Sequence, residues 1–135
     1  LAILSGADGV HLGQEDIPYN QARQLMGSKA IIGVSCQTKE QVKKAQRLGV
    51  DYIGFGSVFK TKTKPDRQPM NLGLLKAVAQ LKKVPTFAIG GIDSQNVRKL
   101  TDLGVERVAV CRDILLAGNV GKVVKDFKDS LKISE

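Results

Sequence analysis

Four short polar segments hold the residue types that metal-assisted phosphate chemistry needs. They are Gly13-Gln14-Glu15-Asp16, Thr61-Lys62-Thr63-Lys64, Gly90-Gly91 and Cys111-Arg112. A carboxylate such as Asp16 suits a hard divalent cation, since Mg2+ often takes one or two carboxylates plus substrate oxygens. The pattern leaves a second role open to it: N-cap of a helix with Ile17-Pro18 in its first turn. Thr61, Thr63 and Lys64 offer two hydroxyls and an ammonium to phosphate oxygens, although a Lys/Thr-rich loop is often only a solvated loop. Gly90-Gly91 lies ahead of a helix expected from about Ser94, an arrangement that lets backbone amides and a helix dipole face an anion. Arg112 can bind phosphate bidentately, or else meet only solvent and the surroundings of Asp113. His11, within its strand, reads as packed or hydrogen-bonded rather than catalytic.

Each segment follows an apolar run, and in α/β proteins chemistry collects where strands end. Three stretches share one grammar of helix end, glycine, acid and strand: Ser5 to Leu12, Leu48 to Phe55 and Leu103 to Val110. That is the αβ joint of a repeated βα unit. Ala30 to Ser35 and Pro85 to Gly90 add two more apolar runs, unbroken as in parallel strands covered on both faces, for about five strands. Helices are expected from the Thr38/Gln41 capping box to Gly49, over 71–82 and 94–103, and in the stretch marked by Val120, Val123, Val124, Phe127 and Leu131. The stretch 59–70, rich in Lys, Thr and Pro, reads as a functional or mobile loop.

Alternating βα units with glycines inside the strands fit a (β/α)8 barrel or a doubly wound, flavodoxin-like sheet. With 135 residues in one domain, about five of a barrel's eight units can be present. Leu1 to Gly6 reads as the last turn of a helix capped by Gly6, which implies a preceding segment. The formal charge of +8 invites a nucleic-acid reading, but the basic residues are dispersed and only 4% of residues are aromatic, so phosphorylated small molecules account for it better. No apolar run approaches a membrane span and no signal peptide opens the chain, so a cytoplasmic protein is expected. Cys36 and Cys111 lie in strand-like runs without zinc spacing and are expected to be buried, reduced thiols.

In order and spacing, Asp8 to Asp16, Ile32 to Ser35, Tyr52 to Lys64 and Ala88 to Ile92 resemble the thiamine-phosphate synthase (thiamine-phosphate pyrophosphorylase) family. The resemblance implies the last five βα units of a (β/α)8 TIM barrel. It also implies an Mg2+-dependent transferase that joins hydroxymethylpyrimidine diphosphate to thiazole phosphate and releases pyrophosphate. By that resemblance Asp16 is one of two Mg2+ ligands, and Ser35 and Lys64 hold the pyrimidine diphosphate, with Lys64 stabilising the leaving group. Thr61, Lys62 and Thr63 line the thiazole-phosphate site, and Gly91 with Cys111-Arg112 grips that phosphate. Family members often carry Pro at the positions of Ser57 or Lys60 and Ser at that of Arg112. The family's N-terminal diphosphate motif and its Asn-Asp pair, which supplies the other metal ligand, have no counterpart here. The alternatives are a thiazole tautomerase-like isomerase and a non-catalytic, truncated phosphate binder. Open barrel edges imply self-association.

Overall fold

The computed structural model describes residues 1–63, 68–81 and 83–131. Five strands form one parallel sheet: β1 (Gly9–Leu12), β2 (Ile31–Cys36), β3 (Tyr52–Phe55), β4 (Thr86–Ile89) and β5 (Val108–Ala109). They lie side by side in chain order. That order differs from the 2-1-3-4-5 arrangement of a flavodoxin-like sheet, so the doubly wound alternative does not hold. Parallel neighbours need crossover connections, and these are right-handed almost without exception. A sheet that grows in one direction therefore receives all its helices on one face.

The side-chain alternation agrees. Ile32, Cys36, Ile53, Phe55 and Ala88 point to the helical side and are buried, together with Val42, Ala45, Leu75, Val78, Val97, Leu100 and Phe127 from the helices. A second cluster of Leu12, Ala22 and Ile32 packs under the first helix. Each fully buried Ile, Leu or Phe stabilises the fold by roughly 2 kcal/mol relative to leaving it in water. On the opposite face Ile31 and Ile89 remain 53% and 45% exposed. The expectation of strands covered on both faces is therefore corrected for the described residues: the unbroken apolar runs include inward positions that no described helix covers.

The helices are α1 (Tyr19–Met26), α2 (Lys39–Leu48), α3 (Leu72–Ala79), α4 (Val97–Thr101), α5 (Arg112–Leu115) and α6 (Val120–Ser130). The expected capping box of α2 is present, with Thr38 and Gln41 satisfying each other's backbone N–H, and Gly49 ends the helix at φ 71°. Asn71 and Asn119 cap α3 and α6. The expected helix over 94–103 shortens to α4. The Asp93 carboxylate accepts from the amides of Gln95 and Asn96 and holds 94–96 in a turn. Of the helix expected over 71–82, Lys82 lies outside the described residues.

The acid of the second repeat joint ties two units together. Asp51 accepts from Ile32 N and from Arg23 Nη2, each at 2.7 Å, while Arg23 also donates to Gly27 O and Ala30 O. The Ile32 amide, helped by Arg23, holds the Asp51 carboxyl below the usual carboxylate range. This links α1, β2 and β3 at the end of the sheet opposite the polar segments.

Candidate active site

The ends of β3, β4 and β5 are laced together beyond their regular pairing. Val58 N donates to Ile89 O at 3.0 Å and Phe59 N to Gly90 O at 2.9 Å, so the segment after β3 continues alongside the end of β4. Gly90 and Gly91 take φ values of 107° and 62°, which L-residues rarely adopt. A Cβ at Gly91 would lie 2.4 Å from Lys60 O, so this turn admits only glycine without rearrangement. Next along the sheet, Asp113 Oδ2 accepts from Ser94 N at 2.9 Å and draws the start of α5 toward the loop after β4. Asn96 Nδ2 donates to Gly91 O at 2.9 Å and fixes the turn from behind.

These ends enclose a cavity of about 260 Å³. Ser35, Thr61, Thr63, Gly91, Cys111 and Arg112 all line it. Six residues singled out in the sequence are thus brought to one place, three of them bearing hydroxyls and one a guanidinium. Lys62 is exposed and does not line the cavity. Lys64 lies outside the described residues.

Three expectations are corrected. The amides of Gln95 and Asn96 are taken up by the Asp93 carboxylate, and α4 begins only at Val97, so the loop after β4 presents no open helix start to an anion. Cys111 is exposed, because β5 is only two residues long and ends before it; Cys36 alone is buried, and burial pushes its thiol up to about 11. Asp16 is not an N-cap. Pro18 occupies that position without a side-chain cap, and Asp16 Oδ2 instead accepts from Gly13 N at 2.6 Å, closing the turn after β1.

Asp16 also lines a different hollow, of about 350 Å³, shared with Gln41 and Lys44. The described residues contain no group of three His, Cys, Asp or Glu that could hold a metal ion. A single exposed carboxylate still fits the way Mg2+ is commonly held, by one or two carboxylates with substrate phosphate and water filling the octahedron. Asp16 fits as one ligand of such a set.

Sequence reasoning missed a polar cluster beside the cavity. His11 Nε2 lies 2.9 Å from Ser35 Oγ, and His11 Nδ1 lies 3.0 Å from Tyr52 Oη. Gln14 Nε2 donates to Ser35 O and anchors the backbone at the same residue. Burial lowers the His11 pKa, and the negative charge of Asp16 opposes that shift only in part. The available signal was Gly33 and Gly54 inside strands, since strand glycines mark close approach. A Cβ at Gly33 would lie 2.1 Å from Tyr52 Cζ, and one at Gly54 3.2 Å from His11 Cε1.

Residues 1–114 match the family model described as thiamine monophosphate synthase. The chain belongs to the thiamine monophosphate synthase family. It is 43% identical over 131 residues to a thiamine-phosphate synthase of Synechococcus sp. (strain WH7803), covering 97% of this chain and 37% of that protein. It is 38% identical over 132 residues to one from Alkaliphilus oremlandii (strain OhILAs), covering 98% of this chain and 63% of that protein. Among solved structures, a thiamine phosphate pyrophosphorylase from Pyrococcus furiosus matches with a TM-score of 0.84 at 34% identity, covering 97% of this chain and 62% of that one. The chain therefore spans from over a third to just under two thirds of the length of these relatives. Among the described residues, no helix is long and apolar enough to cross a membrane.

Proposed function

We propose that this chain carries part of the active site of a thiamine-phosphate synthase, a transferase of thiamine biosynthesis. It would join hydroxymethylpyrimidine diphosphate to thiazole phosphate. The observation that supports this most is the convergence of Ser35, Thr61, Thr63, Gly91 and Arg112 on one cavity at the strand ends, in a member of that family. In this reading residues 1–135 are one domain, the last five βα units of a (β/α)8 barrel, and a cytoplasmic location accompanies two small anionic substrates.

Ser35 and Lys64 hold the pyrimidine diphosphate, and Thr61 and Thr63 face the thiazole phosphate, with Lys62 outside the cavity lining adding only its positive charge nearby. Gly91 and Cys111 shape the pocket wall, while the Arg112 guanidinium grips the thiazole phosphate. The bond from the pyrimidine methylene carbon to the diphosphate oxygen breaks, and its electron pair leaves with pyrophosphate. The thiazole nitrogen lone pair then forms the new C–N bond. Lys64 is the catalytic residue, placing positive charge on the departing group. Mg2+, held by Asp16 and substrate oxygens, would supply further charge neutralisation there. A tautomerase-like isomerase would need no diphosphate hold, and Ser35 in the cavity favours the synthase.

In the intact enzyme that carries this chain, Arg112→Ala is expected to raise KM for thiazole phosphate about tenfold. That is the scale of one lost charge-assisted hydrogen bond, and KM for the pyrimidine diphosphate should stay near its parental value. Formation of no thiamine phosphate by the folded parent enzyme would sink the reading, and a rise confined to the other substrate would reverse the subsites.

Self-association belongs to the same proposal. Among the described residues β1 and β5 pair on one side only, and the face away from the helices carries exposed Ile31 and Ile89. The 135-residue chain is expected to sediment as a concentration-dependent oligomer; a monomer at every concentration would refute this.

A further inference from the structure

His11, Tyr52 and Ser35 come from three adjacent strands and meet on the face away from the helices through register alone. His11 pairs with Gly33, Gly33 with Tyr52, and Ser35 with Gly54. The Tyr52 ring lies over Gly33 and the His11 ring over Gly54. The His11 and Tyr52 rings lie 5.3 Å apart, and Phe87 meets Tyr52 edge-on at 5.7 Å. Both rings are thus held by packing, independently of the hydrogen bonds they make. Gln14 holds the carbonyl of Ser35, which leaves the hydroxyl as the free polar end of the cluster, beside the cavity.

A neutral imidazole has one donor nitrogen and one acceptor nitrogen, and a hydroxyl has a single proton to give. Two directions of the chain of bonds are therefore available. If Ser35 donates to His11 Nε2, then Nδ1–H donates to Tyr52, and Ser35 has no proton left for an anion. If Tyr52 donates to Nδ1, then Nε2–H donates to Ser35 Oγ, and the serine proton is free to point into the cavity. Only the second direction lets Ser35 bind a phosphate oxygen. A phenol is a better donor than acceptor, which favours that direction before any ligand arrives. Desolvation lowers the His11 pKa, toward the neutral ring that either direction requires.

We propose that Tyr52 and His11 are positioning residues that hold Ser35 as a hydrogen-bond donor to an anionic oxygen, the diphosphate of the pyrimidine substrate. The three bonds point one way and each polarises the next, so the effect of Tyr52 reaches an anion it does not touch. This rests on the assignment of Ser35 given above.

His11 is the only histidine of the chain, so its ring nitrogens can be read without assignment in the 135-residue protein by 15N NMR. The expected spectrum shows the Nε2–H tautomer, with a reduced share in Tyr52→Phe. In the intact enzyme Tyr52→Phe should raise KM for the pyrimidine diphosphate about fivefold, the scale of one net hydrogen bond, without changing KM for thiazole phosphate. In a Ser35→Ala background the same substitution should add nothing. An Nδ1–H tautomer or a doubly protonated ring in the parent at neutral pH would overturn the proposal, as would effects of Tyr52→Phe and Ser35→Ala that multiply. If the enzyme forms no thiamine phosphate while the tautomer behaves as expected, the substrate assignment falls and the relay stands. The wrong tautomer in an active enzyme has the opposite meaning.

Discussion

Gly90→Ala is expected to cost the fold about 2–5 kcal/mol, from a backbone penalty of ~1–2 kcal/mol and an overpacking penalty of ~1–3 kcal/mol. The backbone penalty arises because Gly90 sits at φ 107°, where an L-residue is strained. The overpacking arises because its Cβ would lie 2.2 Å from Ser57 Oγ and 2.8 Å from Ser57 Cα, and the second of these is main chain that cannot swing away. The damage should reach the cavity, since Gly90 O accepts from Phe59 N and Ile89 O from Val58 N in the lacing that forms its floor. Gly118→Ala is the control: its φ is not in the left-handed region, and nothing lies within 4 Å of its Cβ position. It should change stability by less than ~0.5 kcal/mol. Urea unfolding of both variants decides the matter, and a Gly90→Ala loss below about 1 kcal/mol would mean that this turn is more compliant than its geometry indicates.

Asp16→Asn should lower kcat roughly 100-fold in the intact enzyme while leaving the melting temperature almost unchanged, on the scale of losing one electrostatic contact to a departing group. The separation rests on what Asp16 does in the fold. Its structural bond is accepted by Oδ2 from Gly13 N, and an asparagine carbonyl can accept the same bond. The negative charge available to a cation is what disappears. Raising Mg2+ should recover part of the lost rate if the variant binds metal more weakly. Parental turnover at limiting Mg2+ would remove Asp16 from the metal site, and a fall in melting temperature that tracks the rate would make its role structural.

The repeat grammar was legible because each αβ joint needs a helix stop and an entry to a strand, and these are written locally in Gly49-Val50-Asp51 and Gly104-Val105-Glu106. The capping box of α2 was legible for the same reason. The start of α4 was misread because the Asp93 carboxylate takes the amides of Gln95 and Asn96 and holds 94–96 in a turn, which the spacing of Val97 and Leu100 does not reveal. The cap role left open for Asp16 does not hold because its partner, Gly13, lies behind it in the chain. Thr61, Thr63 and Arg112 were legible because they follow strand-like runs, whereas Ser35 entered only through the family resemblance. The cluster of His11, Tyr52 and Ser35 was not legible, because it depends on the register of three strands, and register is not written in any one of them.

The strand order has a bearing on how the chain is made. Every described strand after β1 pairs with the one synthesised just before it. None of these described pairings has to wait for a more distant segment. Pairing of this kind limits each crossover to a single βα unit, the shortest separation at which parallel neighbours can pair. A nascent polypeptide leaving the ribosome can add βα units to a growing edge one at a time. The cavity-forming loops after β3, β4 and β5 then come together last, on a surface that the earlier strands have already laid down.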